Sequence, residues 1–167
     1  YKGGTLFLNS PGTSSAGVGF GALANSSGSY ANAVGANALG GAPGNTGGYN
    51  NAFGGSALTA NTTGSYNNAF GDSALSSNLT GSRNTALGDI ALGRVETGSS
   101  NNAVGASAGG NVTTGSNNIF LGVNAGASVT TGNYNIAIAN SGAVGESGAI
   151  RIGTSANHTT FFAAGIR

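Results

Sequence analysis

Residues 67–75 read NNAFGDSAL, and versions of this phrase recur along most of the 167-residue chain. The glycine of the phrase returns every seventeen residues, at Gly54, Gly71, Gly88, Gly105 and Gly122. Two earlier copies end at Gly19 and Gly35 with slightly different spacings. A repeat of this length is typical of a solenoid, in which each unit buries its apolar face only by stacking on its neighbours.

Aligned on that glycine, the repeats share four uniform columns. Directly before the glycine comes the apolar column: Val18, Val34, Phe53, Phe70, Leu87, Val104, Leu121 and Ile138. One position earlier comes the alanine column: Ala33, Ala52, Ala69, Ala86, Ala103 and Ala137, with Phe120 as its exception. Four positions before the glycine comes the asparagine column: Asn50, Asn67, Asn84, Asn101, Asn118 and Asn135. Four positions after it comes the leucine column, which follows an alanine: Leu23, Leu39, Leu58, Leu75 and Leu92.

These units predict strands. Each is too short for a pair of helices, and its apolar runs do not follow a helical period. We therefore predict an all-β parallel β-solenoid with one strand at the Asn-x-Ala-apolar-Gly phrase and a second near the Ala-Leu pair. Turns such as Thr62-Thr63-Gly64 would join them. Successive coils would then pair about 4.8 Å apart.

Neighbouring side chains on a strand point to opposite faces, so the apolar and alanine columns should lie on different sides of the sheet. We expect the apolar column to fill the interior of the stack. The alanine column would then face the axis of a closed homo-oligomer, and Ala69→Arg would prevent assembly. The alternative is that alanine is merely tolerated on an exposed face.

Three polar columns have structural and functional interpretations. The asparagine column favours amides that hydrogen-bond between coils over a ligand site. A tyrosine column at the strand entrance could pack between subunits or be displayed for binding: Tyr30, Tyr49, Tyr66 and Tyr134. A threonine column raises ice binding as a further hypothesis: Thr46, Thr63, Thr80, Thr97, Thr114 and Thr131.

Composition narrows the function classes. Only 5% of the residues are charged, and the formal net charge is +1, which gives no basic patch for nucleic acid. There is no cysteine, so a disulfide framework is excluded, and no apolar run is long enough to span a membrane. A surface that relies on Asn, Ser and Thr is typical of extracellular structures.

Catalytic chemistry has few candidates. His158 is the only histidine, and the acids are Asp72, Asp89, Glu96 and Glu146. Asp72 and Asp89 hold equivalent positions in adjacent coils, where a pair could assist acid–base chemistry or hold a cation. We favour two solvated turn residues, which could pair with Arg83 or Arg94. We predict no enzyme, catalytic residue, metal or cofactor.

The two ends differ from the repeats. We divide the chain into an N-terminal cap or edge strand at 1–16, the repeats at 17–140 and a C-terminal capping segment at 141–167. Both ends hold apolar runs that could act as assembly strands: Leu6, Phe7 and Leu8, and Phe161 and Phe162. The start, Tyr1-Lys2-Gly3-Gly4, does not resemble a signal peptide, so we expect a mature or excised fragment.

The phrase at 67–75 resembles the YadA-type head repeats of trimeric autotransporter adhesins and of related bacterial and phage fibre proteins. The segments at 145–154 and 158–166 resemble the ends of such arrays. The resemblance covers about residues 15–167 and implies a trimeric, left-handed β-roll in adhesion or fibre building, with no catalytic residues. The seventeen-residue period is longer than is usual in that family, which implies larger loops.

The resulting expectation is a non-enzymatic extracellular or cell-surface module that contacts surfaces or matrix as a homotrimer. The alternative is a self-assembling subunit of an extracellular filament, joined end to end by its terminal strands. Its expected partners are therefore other copies of the chain and a host or matrix surface, without nucleic acid or a membrane span.

Overall fold

The chain forms a parallel β-solenoid in a computed structural model that describes residues 14–160. One sheet runs through the described part, and its strands follow chain order with every pairing parallel. Each strand has three residues: β1 Ala16–Val18, β2 Asn32–Val34, β3 Asn51–Phe53, β4 Asn68–Phe70, β5 Thr85–Leu87, β6 Asn102–Val104, β7 Ile119–Leu121, β8 Ile136–Ile138 and β9 Ile150–Ile152. The predicted all-β parallel solenoid is confirmed.

Strand register keeps the repeat columns aligned. Between β3 and β4, Ala52 lies beside Ala69 and Phe53 lies beside Phe70. The same matching holds from β1 through β8, so each column of the sequence becomes a row of stacked side chains along the solenoid.

The prediction for the two faces of the strand is wrong. The alanine column points inward, and Ala52, Ala69, Ala86 and Ala103 are completely buried. The apolar column points outward and is exposed from β1 to β7. The interior is already occupied by the buried leucine column from the other side of the coil, so only a small residue fits opposite each leucine.

Phe120 demonstrates this limit on interior volume. It replaces alanine in the inward column and is 1% exposed. The leucine column holds Gly109 and Gly126 at that level, and a Cβ on Gly109 would come within 2.6 Å of Phe120 Cδ2. One phenylalanine on the strand thus lies where the leucine column would otherwise place two leucines.

The predicted second strand is absent among the described residues, because the Ala-Leu segment is a turn. Leu58 and Leu75 have φ of 53° and 52°, in the left-handed region that an extended strand does not use. Coils still join there, since the Leu58 N–H donates to the Ala74 carbonyl at 3.0 Å. Each coil therefore has one short strand and a hydrogen-bonded turn.

Gly71 shows why the repeat glycine is needed. Its φ is +142°, and a Cβ at this position would collide with the carbonyl of Gly88 in the next coil. Both the conformation and the close approach of the two backbones favour glycine. The strand can end here without separating the coils.

The asparagine column forms an internal hydrogen-bond ladder. Asn67 is fully buried, its Nδ2 donates to the Gly81 carbonyl at 2.9 Å, and its Oδ1 accepts from the Asn84 N–H at 2.9 Å. The pattern recurs in neighbouring coils. These amides satisfy buried backbone groups where the regular sheet has not yet begun.

A second internal amide row, which the sequence analysis missed, runs beside this ladder. Asn78 Nδ2 donates to Asn61 Oδ1 at 2.8 Å, and Asn61 Nδ2 donates to Asn45 Oδ1 at 3.1 Å. Later coils hold the buried Val95, Val112 and Val129 in that row. The change from Asn to Val shows that this position tolerates apolar packing.

The C-terminal end adds one strand to the stack. β9 lies in the predicted capping segment and pairs with β8, which places Arg151 beside Ala137 in the inward column. Arg151 Nε donates to Glu146 Oε2 at 2.7 Å. A charged side chain thus takes the inward position in the last strand of the described part. The proposed assembly strands, Leu6, Phe7 and Leu8 and Phe161 and Phe162, lie outside the described residues.

The position of Ala69 changes the expected result of Ala69→Arg. Because the side chain would enter a filled interior as an unpaired charge, we expect the variant to lose about 3–5 kcal/mol of unfolding free energy. Urea unfolding followed by circular dichroism measures this loss. Thr80→Ala, at an exposed position, is the control and should change stability by less than about 0.5 kcal/mol. A stably folded Ala69→Arg variant would contradict the inward placement.

Asn67 and Asn68 provide a matched test of the internal ladder. Asn67→Ala leaves the buried Gly81 carbonyl and Asn84 N–H without their partner, so we expect a loss of about 2–4 kcal/mol. Asn68 is only half-buried on the outward side, and Asn68→Ala should cost less than about 1 kcal/mol. Equal losses in chemical denaturation would show that the ladder has no special role.

Candidate functional site

The outward side of the sheet carries a continuous apolar ridge, formed by the apolar column. From Val18 to Leu121 its side chains are between 37% and 49% exposed. The rings of Phe53 and Phe70 stack with centroids 4.8 Å apart and an interplanar angle of 3°. We call the whole outward side of the sheet the outer face. The ridge is a long apolar surface, and no described residue of the chain packs over it.

The middle of the outer face changes character along the solenoid. In the first coils it is an amide ladder, in which Asn32 Nδ2 donates to Asn51 Oδ1 and Asn51 Nδ2 donates to Asn68 Oδ1, both at 2.8 Å. In the last coils the same positions hold Ile119, Ile136 and Ile150. The outer face is therefore half polar at its start and apolar at its end.

The tyrosine column forms one margin of the outer face. Tyr30, Tyr49 and Tyr66 stack with ring centroids 4.9 and 4.8 Å apart, and the Arg83 guanidinium lies 5.6 Å from the Tyr66 centroid. All four residues have φ between 57° and 62°, which is unfavourable for side chains of this size. The inner ring faces contact one another, so the row offers ring edges and hydroxyl groups to a partner.

The opposite margin lies just beyond the repeat glycine. Phe20 and Val123 are 76% and 69% exposed there, and Asp72 and Asp89 are also exposed. Asp72 Oδ2 accepts from Ser73 Oγ at 3.2 Å. Neither aspartate has an ion-pair partner within residues 14–160, where Arg151–Glu146 is the one salt bridge. The predicted arginine partners, Arg83 and Arg94, thus do not reach them within the chain.

The described part of the chain forms no cluster of metal-binding side chains. It contains no group of three or more His, Cys, Asp or Glu side chains that could hold a metal ion. His158 is exposed, and its Nδ1 accepts from the Thr154 N–H at 3.1 Å, which stabilises a turn.

The threonine column is exposed at a bend of each coil, from Thr46 to Thr131. The position before it is mixed, because Leu79 and Glu96 replace threonine there. Thr62 Oγ1 also turns back to donate to the Leu79 carbonyl at 2.7 Å. This corner presents one threonine row and no flat array of two, so it gives the ice-binding hypothesis no support.

A shallow groove of about 480 Å³ crosses the coils next to the margin that carries Asp89, since Ile90 is part of its lining. Gly93 and Gly110 form part of its lining, together with Arg94 and several Ser and Asn side chains. A groove without a convergent set of buried polar groups is a weak candidate for a ligand site. The outer face is the larger and more continuous surface.

The described residues contain no helix of the length and hydropathy needed to cross a membrane. No known protein family, no curated protein and no solved structure matches the chain.

Proposed function

We propose that this chain is a non-enzymatic structural and adhesive module, used outside the cell or at its surface as a parallel homotrimeric rod. The observation that carries the proposal is the apolar ridge along the outer face. A monomer would leave this ridge in water over most of the length of the solenoid.

The size of the ridge favours a protein partner. Seven large side chains, each about 40% exposed, present roughly 500 Å² of apolar surface. That is near the upper end of the roughly 300–600 Å² found for the largest patch on a monomer. With the flanking isoleucines and tyrosines, the outer face approaches the roughly 800 Å² that each partner buries in a standard interface.

The regularity of the outer face favours other copies of the same chain. Its side chains repeat once per coil, at the spacing of paired β-strands. Another β-solenoid has the same axial period, so every coil can make the same contact. The two central columns carry no ionisable side chain from β1 to β8, and their burial would leave no unpaired charge. Closed cyclic symmetry would bring the ridges to a common axis.

This arrangement replaces the expected role of the alanine column. The surface that we assign to the axis is the apolar column, with Phe53, Phe70 and Leu87 at its centre. The number of copies, three, rests on the resemblance of the repeat to YadA-type heads. The remaining coil surfaces, rich in Ser, Thr and Asn, would face outward and contact a host or matrix surface.

The filament alternative receives less support at the C-terminal end. A coil of another copy stacked on β9 would lie against Arg151, where the inward column is charged. Burial of that ion pair would be costly without further hydrogen bonds. We therefore place the self-association surface along the solenoid and not at its end.

Leu87 and Leu79 provide a matched pair for testing the assembly. Light scattering of the wild-type protein should give three times the 15.8 kDa chain mass. Leu87→Glu places a charge on the ridge and should yield folded monomers, because the charge would be desolvated in the trimer. Leu79 is exposed away from the ridge, and Leu79→Glu should remain trimeric.

A wild-type monomer would refute the homotrimer. Electron microscopy of the same samples distinguishes the trimer from the filament, because the trimer should appear as discrete rods. End-to-end fibres that disappear when residues 1–12 are removed would favour the filament.

The adhesive role is tested with the same variants. Binding of labelled protein to fixed host cells and to deposited extracellular matrix should be strong for wild type and Leu79→Glu. It should fall at least roughly tenfold for Leu87→Glu, because three linked copies bind a surface multivalently. Failure of the wild-type trimer to bind any of these surfaces would contradict adhesion and leave the rod intact.

A further inference from the structure

Two opposite charges lie at the same level on the two margins of the outer face. Arg83 precedes β5 on the tyrosine margin, and Asp89 follows β5 just beyond Gly88. Both side chains are exposed. No other coil between β1 and β8 has a charged residue at both of these positions.

These two side chains do not meet within one chain. Strand β5 lies between them, and the one salt bridge within residues 14–160 is Arg151–Glu146. The Arg83 guanidinium instead lies over the Tyr66 ring. A guanidinium stacked on a ring keeps its N–H donors free at the edge, so Arg83 is oriented and still able to bind a carboxylate.

Cyclic symmetry brings the two margins together. When copies surround an axis parallel to the solenoid, the tyrosine margin of one copy faces the opposite margin of the next. Closure of the ring permits no axial shift between neighbours, so residues of the same coil meet at the same height. We infer that Arg83 of each copy forms an ion pair with Asp89 of the neighbouring copy; this inference rests on the proposed homotrimer.

The ion pair distinguishes parallel from antiparallel packing. If two copies packed antiparallel, a two-fold axis along the strands would bring like margins together. Arg83 would then face the tyrosine margin of the other copy, and Asp89 would face the margin that carries the other Asp89. Charges at the rim of an interface contribute mainly to orientation and partner selection. Asp72 lies one coil away on the same margin as Asp89 and strengthens its negative potential.

Cross-linking tests the inferred contact directly, because the chain has no cysteine of its own. An Arg–Asp pair can be too long for a disulfide, so a short bismaleimide is the better reagent. The double variant Arg83→Cys with Asp89→Cys should give a covalent trimer on a denaturing gel. Either single variant should give no covalent trimer, and neither should Arg94→Cys with Asp89→Cys, since Arg94 lines the groove and is not on the tyrosine margin.

Charge exchange gives a second readout. Arg83→Glu and Asp89→Arg should each raise the protein concentration at which half of the trimer has dissociated roughly fivefold. The combined exchange should restore the wild-type value, and the differences should shrink in high salt. Arg94→Glu is the control for a change of net charge and should have no such effect.

Each outcome decides a separate claim. A wild-type protein that is monomeric refutes the trimer and the ion pair together. A trimeric wild type with neither the double-cysteine cross-link nor charge rescue refutes only the ion pair. Cross-linking of Arg83→Cys alone would show that the tyrosine margins of two copies meet. A covalent dimer of the double variant without any trimer would indicate two-fold symmetry. Either result would overturn the inferred threefold contact.

Discussion

The narrow interior of each coil is the constraint on which the rest of this structure depends. Opposite the inward residue of the strand there is room for one large side chain, and from Leu23 to Leu92 the leucine column provides it from the turn side of the coil. The strand can then contribute only alanine. At Phe120 the large side chain comes from the strand instead, and the leucine column holds glycine at Gly109 and Gly126, where a Cβ would collide with the Phe120 ring.

The narrow interior also determines which side chains point outward from the strand. Since the strand has only three residues, its large apolar residue must lie on the face opposite to alanine. Phe53, Phe70 and the leucines and valines of the ridge lie there, where they are exposed in the single chain. A fold with such a small core leaves apolar surface for association, and in the proposed rod the interface would complete the core.

Hydrogen bonding compensates for the small amount of regular sheet. The internal asparagine ladder joins coil to coil at the strand entrance, and the turn amides of Leu58 and Leu75 do so at the opposite side. Stacked tyrosines and the outer amide ladder extend the repetition to the surface. Charges are rare, and the few present lie at an end, such as Arg151 and Glu146, or at exposed positions, such as Arg83 and Asp89.

The seventeen-residue period by itself determined the solenoid, the parallel pairing and the alignment of columns, because identical units stacked in register leave no other strand order. It also indicated an asparagine ladder, since one polar residue repeated at every level can bond to its neighbours. Only the tertiary structure decided which face was inside. Alternation separates alanine from the apolar column, but the choice of the buried face depends on the space that the leucine column leaves across the coil. The left-handed backbone at Leu58 and Leu75, which replaces the expected second strand by a turn, likewise arises from closure of the coil and has no signal in the local sequence.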